Sequence, residues 1–266
     1  LGRDIAFDML TSMQSNGMIS NFDIPLSEFN TPLKPEESIN INLGLSYQHK
    51  KIDASLNIFN NKIINLIDYQ LVAEYENKPT GVYTYFNVNE VETKGLEFNM
   101  SFHPNTDWTI STGYQLLYAY DIAIKDSFAN NAIYARDQTT NVSFKLNTND
   151  YFGLFNRSRH TGNLSFFYNM NKKVQFNSVI RYRTKYGTAE NDNGNEVLDK
   201  YDNFVKGYAI CDLGIRYHLP LMSLQFGVKN IFGFTNPDYI SNISGRFYYI
   251  NLLFKLIKKK KKYEKN

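Results

Sequence analysis

Residues 38–49 read SININLGLSYQH, setting Ile39, Ile41, Leu43, Leu45 and Tyr47 in strict alternation with Asn40, Asn42, Gly44, Ser46 and Gln48. Successive side chains of a strand point to opposite faces, so this period of two predicts β-structure with one apolar and one polar surface. The pattern returns at 96–102, where Leu96, Phe98, Met100 and Phe102 oppose Glu97, Asn99 and Ser101. It returns again where Val174, Phe176, Ile180 and Tyr182 oppose Lys173, Gln175, Asn177, Arg181 and Arg183. Long dyad-repeat strands with charge confined to one side are what a membrane-spanning β-barrel requires. The expected fold is therefore all-β, an antiparallel transmembrane barrel segment of nine or ten strands.

The connections carry a second signal. Strand 38–49 turns at Lys50-Lys51 before Ile52, Ala54, Leu56 and Ile58 resume the alternation, and a longer connection follows from about Asp68 to Gly81. The strand through Leu96–Phe102 meets a short turn at Pro104–Asp107, and the next runs over 108–120. The longest gap, Asp121 to His160, is rich in Asn, Asp and Ser and is expected to be partly strand. Strand 163–170 turns at Asn171-Lys172 into strand 173–186, and a polar loop from Gly187 to Asn203 contains Asn-Asp-Asn-Gly. Strand 207–218 turns at Leu219-Pro220 into 222–231, and a loop at Gly233–Ser244 precedes a last strand over 245–257. Short and long connections alternate throughout, as periplasmic turns and extracellular loops do in a barrel. Sandwich strands commonly run about 5–6 residues, shorter than several of these.

Composition agrees. The chain has 266 residues with 20 Tyr and 20 Phe, types that favour strands and membrane interfaces. A mean hydropathy of −0.43 suits a barrel whose wet and dry faces average out. No run approaches the ~18 apolar residues of a spanning helix. The opening Leu1-Gly2-Arg3, with no basic-then-apolar leader, is expected to be internal to a longer precursor. The net charge of +3 is too small to imply nucleic acid, and much of it falls in a basic tail over 257–266. The lone Cys211, among Ala209, Leu213, Ile215 and Tyr217, is expected to be an apolar filler.

Charge parity assigns the faces. Asp212, Arg216 and His218 share one side of strand 207–218, opposite Cys211, Leu213, Ile215 and Tyr217. An Arg or Lys facing lipid at the bilayer midplane costs about 2–4 kcal/mol, so the charged parity must face the lumen.

Four short stretches, in order along the chain, resemble the C-terminal half of TonB-dependent outer-membrane receptors. They are Leu33-Lys34-Pro35-Glu36 followed by Leu43-Gly44; Phe86-Asn87-Val88 followed by Gly95-Leu96-Glu97; Asp212-Leu213 through Val228-Lys229-Asn230-Ile231-Phe232; and Gly245-Arg246 with Tyr248, Phe254 and Leu256. The region from Gly2-Arg3 to Ser20 is similar to the corresponding part of Bacteroides-type receptors. One departure is that the closing aromatic of the family is replaced here by Leu256, with Ile257 to Asn266 running past it.

The resemblance implies residues 1–256 as the C-terminal part of a receptor barrel in the outer membrane of a Gram-negative bacterium. Its partners would be outer-membrane lipid, the plug domain and remaining strands of the full receptor, the TonB complex, and the barrel-assembly machinery. The implied activity is energised uptake of a scarce solute, a ferric siderophore first and cobalamin next, without catalysis, cofactor or bound metal. In haem receptors of the family a histidine often precedes the Leu-Lys-Pro-Glu box, and residues 1–32 have none. Ligand contacts are expected from Tyr134, Arg136 and Asp137 in the longest loop and from Arg157, Arg159 and His160 at its end. No glycine-rich phosphate loop, His-Glu-x-x-His or Gly-x-Ser-x-Gly motif points to an enzyme. The alternatives are a small autonomous outer-membrane barrel, as enzyme or pore, and a soluble glycan-binding β-domain.

Overall fold

The computed structural model describes residues 2–20, 32–77, 81–87, 90–130, 132–137, 140–171, 173–188, 195, 197–240 and 242–254. Of the motif, turn and tail residues named above, Val88, Lys172, 191–194, Leu256 and the basic run 257–266 lie outside the described residues. Helix α1 (Gly2–Ser15) precedes strands β1 (Glu37–His49), β2 (Ile52–Ile64), β3 (Ile67–Glu74), β4 (Gly81–Asn87), β5 (Val91–Phe102) and β6 (Trp108–Asp121). Helix α2 (Ile122–Ala129) and the short strands β7 (Tyr134–Arg136) and β8 (Ser143–Lys145) follow. The chain then runs through β9 (His160–Met170), β10 (Val174–Arg183), β11 (Tyr208–His218), β12 (Met222–Lys229) and β13 (Phe247–Phe254).

Nine strands form one antiparallel sheet in the order β1-β2-β5-β6-β9-β10-β11-β12-β13, matching the expected strand number. Every neighbour in that order is also the next spanning strand in sequence, so the sheet is an up-and-down meander. Its hairpins are tight at one end, where His49 pairs with Ile52 and Met170 with Val174. Asn171, at φ 59°, takes the left-handed conformation that asparagine tolerates better than most residues. At the other end every connection is long. β1 and β13 are open edges, and the sheet does not close.

Register confirms the two faces. Leu96, Phe98, Met100 and Phe102 pair with Ile58, Leu56, Ala54 and Ile52 of β2, and Leu96 also pairs with Leu116 of β6. Ile180, Phe176 and Val174 pair with Cys211, Ile215 and Tyr217. On the opposite face Asn177 pairs with Gly214 and Gln175 with Arg216. At the tight-turn end Trp108 stacks on Tyr168, with ring centroids 4.2 Å apart.

Several expected boundaries shift. The connection expected as a loop from Asp68 to Gly81 is largely a separate two-stranded hairpin, β3–β4, and its strands reach to Ile67 and Asn87. The longest gap holds α2 as well as the β7–β8 hairpin. Strand 173–186 ends at Arg183, 222–231 at Lys229, and the last strand starts at Phe247. Helix α1 is an element that the period-two reading did not reveal. Past its last residue Ser15 the chain turns at Gly17, at φ +64°, with Met18 N–H bonded to Met13 O and Gly17 N–H to Gln14 O. Leu10 of α1 then packs with Ile19, Val72, Ala73 and Phe86 over the β3–β4 hairpin.

Candidate functional site at the long-loop rim

The motif residues hold the rim together. Asn87 Nδ2 donates to Lys34 O (2.9 Å) and Asn65 O (2.8 Å), and its Oδ1 accepts from Lys34 N–H (2.7 Å). Glu36 Oε1 accepts from Ile67 N–H at 2.7 Å. The Leu33-Lys34-Pro35-Glu36 box is thus strapped to the base of β3–β4, where the long loop rejoins the sheet. Gly95 is required because a Cβ there would collide with the Leu116 carbonyl. Glu97 Oε1 accepts from Gln115 Nε2 at 2.9 Å on the polar face.

A second strap closes the last long loop. Asp212 pairs with Arg181 and accepts from Asn230 N–H at 2.8 Å. The buried Asn230 side chain donates to Phe234 O (2.7 Å) and Ser244 O (3.0 Å), and accepts from Phe234 N–H (3.0 Å). Arg246 Nε donates to Ile231 O at 2.8 Å. A Cβ on Gly245 would make only ordinary contact with Thr235. These contacts assign the motif to construction of the rim.

The loop residues expected to contact ligand fall into several local structures. Tyr134 and Arg136 are exposed on β7, with Lys145 Nζ 5.8 Å from the Tyr134 ring centroid. Asp137 caps a turn through Thr140 N–H (2.7 Å), a local role. Arg157 is exposed. Arg159 lies 4.5 Å from the Phe152 ring and donates to Phe152 O at 3.1 Å. His160 opens β9. It pairs with Leu116 and bonds the Tyr114 hydroxyl through Nδ1 at 2.7 Å, which puts it on the parity of the apolar face.

Sequence reading missed the aromatic–cation layer beside Arg159. Lys185 Nζ sits 3.8 Å from the Phe204 ring and 5.6 Å from Phe152, whose rings meet edge to face. Arg183 lies 3.9 Å from the Tyr186 ring and 6.0 Å from Tyr208, and its Nε donates to Ser158 Oγ at 2.9 Å. Burial pushes the Tyr186 hydroxyl upward, with Arg183 opposing, so Tyr186 stays a neutral donor at ordinary pH. Among the described residues no carboxylate lies within ion-pairing distance of Arg159, Arg183 or Lys185, and Arg159 Nε is buried without a hydrogen-bond partner. The signal available in sequence was the cluster Arg181, Arg183 and Lys185, but its aromatic partners come from distant loops.

Around this layer the loops form a small core in which Phe128, Ala135, Leu146, Tyr151 and Val197 pack together. Burial drives the Tyr151 hydroxyl up to about 12. Burial also acts to raise the Asp150 carboxyl, but hydrogen bonds from Lys200 and Asn147 N–H prevail and hold it below the usual range. Two open troughs of about 440 and 810 Å³ lie lower on the polar face. An apolar cleft of about 830 Å³, lined by Trp108, Phe166, Phe176, Leu213 and Phe226, lies chiefly on the opposite face.

A family model described as TonB dependent receptor-like, beta-barrel, matches residues 8–231. The chain belongs to the TonB-dependent receptor β-barrel family. Solved structures of this barrel superpose on it. The copper transporter OprC gives a TM-score of 0.57 at 16% identity, covering 84% of this chain and 32% of that one. The siderophore receptor PirA from Acinetobacter baumannii gives 0.53 at 21% identity, with the same two coverages, 84% and 32%. The FrpB iron transporter from Neisseria meningitidis gives 0.56 at 14% identity, again covering 84% and 32%. At these identities the likeness is one of fold, and the chain spans 32% of each of the three. Their names are those of transporters and a receptor. No curated protein matches the chain.

Proposed function

We propose that residues 1–256 are the C-terminal part of an outer-membrane TonB-dependent receptor that captures a scarce solute, with residues 257–266 a basic tail. A ferric siderophore is the leading candidate, with iron as cargo, and cobalamin is the next. The observation that carries this reading is the rim layer of Arg159, Arg183 and Lys185, stacked on aromatic rings and unmatched by carboxylates among the described residues. Guanidinium forks and aromatic faces together suit an anionic ligand that carries aromatic rings.

Sheet architecture supports the membrane setting. The apolar parity of β1, β2, β5 and β6, from the tight-turn end up to the row of Leu43, Ile58, Leu96 and Leu116, would meet hydrocarbon, and the polar parity would line a wet lumen around a plug. The open backbone edges of β1 and β13 cannot face lipid, where each unpaired group costs several kcal/mol. Remaining strands of the receptor would pair with them after assembly by the barrel-assembly machinery. Energy would come from the TonB complex acting through the receptor's N-terminal part. The functional role is binding and passage, without chemistry on the solute, and without nucleic acid as partner. The neighbours named for siderophore and iron transport favour an iron complex as the first ligand to test.

The test is binding of a ferric catecholate and of cobalamin to the full-length receptor and to an Arg183→Ala/Lys185→Ala variant. The variant should bind the ferric catecholate about tenfold or more weakly, as expected for lost charge-assisted contacts. Unchanged affinity of the variant for both ligands would contradict the reading.

A further inference from the structure

The apolar face changes character at one register step on three adjacent strands. On β5 the outward parity runs Phe102, Met100, Phe98 and Leu96, then Lys94 and Glu92. Leu96 pairs with Ile58 and Leu116, whereas Lys94 pairs with Asn60 and Tyr118, and Glu92 with Lys62 and Tyr120. A boundary shared in register by three strands marks where hydrocarbon gives way to headgroups on the long-loop side.

Just above that boundary, Lys94 and Lys125 share one carboxylate. Glu92 Oε2 lies 3.4 Å from Lys94 Nζ and 3.6 Å from Lys125 Nζ, longer than the 2.6 Å pair of Lys62 with Glu90. Glu92 also accepts from Asn60 Nδ2 at 3.4 Å. Lys125 sits 5.3 Å from the Tyr120 ring, and Arg159 adds a cation 5.1 Å from Tyr118. Beside Lys94 and Lys125 is a recess of about 290 Å³, lined by these two residues with Tyr118, Tyr120, Thr148, Asn149 and Tyr151. Its lining carries ammonium, hydroxyl and amide groups, with the Glu92 carboxylate beside it against both ammonium groups.

We propose that this recess docks the phosphorylated sugar headgroup of an outer-leaflet glycolipid, with Lys94 and Lys125 as the phosphate-binding cations. The inference rests on the membrane orientation proposed above. Its position decides the occupant, since the recess opens where a lipid headgroup lies and on the parity of the lipid-facing side chains. Local charge agrees, because two ammonium groups compete for one carboxylate until an anion arrives. Tyr118 and Tyr120 suit such a border, being apolar in body and polar at the tip.

The test uses the full-length receptor in detergent, with lipid A, dephosphorylated lipid A and inorganic phosphate as probes. Wild type should bind phosphorylated lipid A about tenfold more tightly than the dephosphorylated form, and Lys94→Gln/Lys125→Gln should remove that preference. Lys94→Arg/Lys125→Arg should retain it, and both variants should keep heat-modifiable migration on gels. Equal binding of the two lipids, or an unaffected glutamine variant, would overturn the site. Displacement of lipid A by millimolar inorganic phosphate would assign the recess to free phosphate instead. A wild-type receptor without heat-modifiable migration would overturn the membrane orientation itself. A heat-modifiable receptor lacking the phosphate preference would overturn this site alone.

Discussion

The sheet and its long-loop rim are built for different solvents. In the loops Phe128 and Val72 are 0% exposed, inside small cores that would suit a water-soluble protein. On interior strands of the sheet Ile58 is 48% exposed and Phe176 41%, and large apolar residues are exposed on most of the spanning strands. Soluble monomers rarely present so extensive an apolar surface without a partner. The contrast assigns lipid to one region and water to the other within a single chain. It also predicts that the two regions fail separately.

The largest expected effect is in the loops. Phe128→Ala should cost about 3–5 kcal/mol, as truncating a buried aromatic does. Limited proteolysis of the full-length receptor should then cut the rim faster, while heat-modifiable migration survives. Loss of both together would merge the two regions into one cooperative unit.

Leu213→Arg is the converse. At the middle of β11 on the apolar parity it should cost about 2–4 kcal/mol and reduce the membrane-assembled fraction. Asp212→Asn, one residue away on the other parity, should assemble, because the amide oxygen can still accept from Asn230 N–H. Equal loss of assembly in the two variants would refute the assignment of faces.

Smaller effects sharpen the join between the regions. Asn87→Ala removes three hydrogen bonds to Lys34 and Asn65, each worth about 0.5–1.5 kcal/mol net. Hydrogen exchange at the Lys34 amide should accelerate with the sheet unchanged. The smallest effect is one of pH. Asp150 has a depressed carboxyl pKa, so its stabilisation is present above the ordinary carboxyl range and lost as pH falls through the folded-state value. Tyrosine fluorescence of the rim should report acid loosening in wild type that is diminished in Asp150→Asn.

The spanning strands were legible because lipid on one side and water on the other impose a period of two, clear in residues 38–49 and 96–102. Helix α2 was hidden within a polar gap, although Asp121 accepts from Ile124 N–H as an N-cap and no Gly or Pro interrupts 122–129. The β3–β4 hairpin was obscured because Val72 and Ala73 are both buried, which breaks the alternation. The motif roles were illegible for another reason. Asn87 acts on Lys34 across 53 residues, a contact that only the folded chain creates. The rim layer likewise joins Phe152, Lys185 and Phe204 from separate loops. His160 follows a loop but already obeys strand parity, pairing with Leu116.

The central claim is that the alternating faces of the sheet meet lipid and water. Cys211, the sole cysteine, allows a direct measurement after Cys211→Ser. Single cysteines at each position of 209–217 in the full-length receptor, spin-labelled in bilayers, would be read by oxygen and by a water-soluble nickel relaxant. A period of two is expected, with oxygen favoured at 209, 211, 213, 215 and 217 and nickel at 210, 212, 214 and 216. Uniform accessibility along the strand, or the opposite phase, would contradict it.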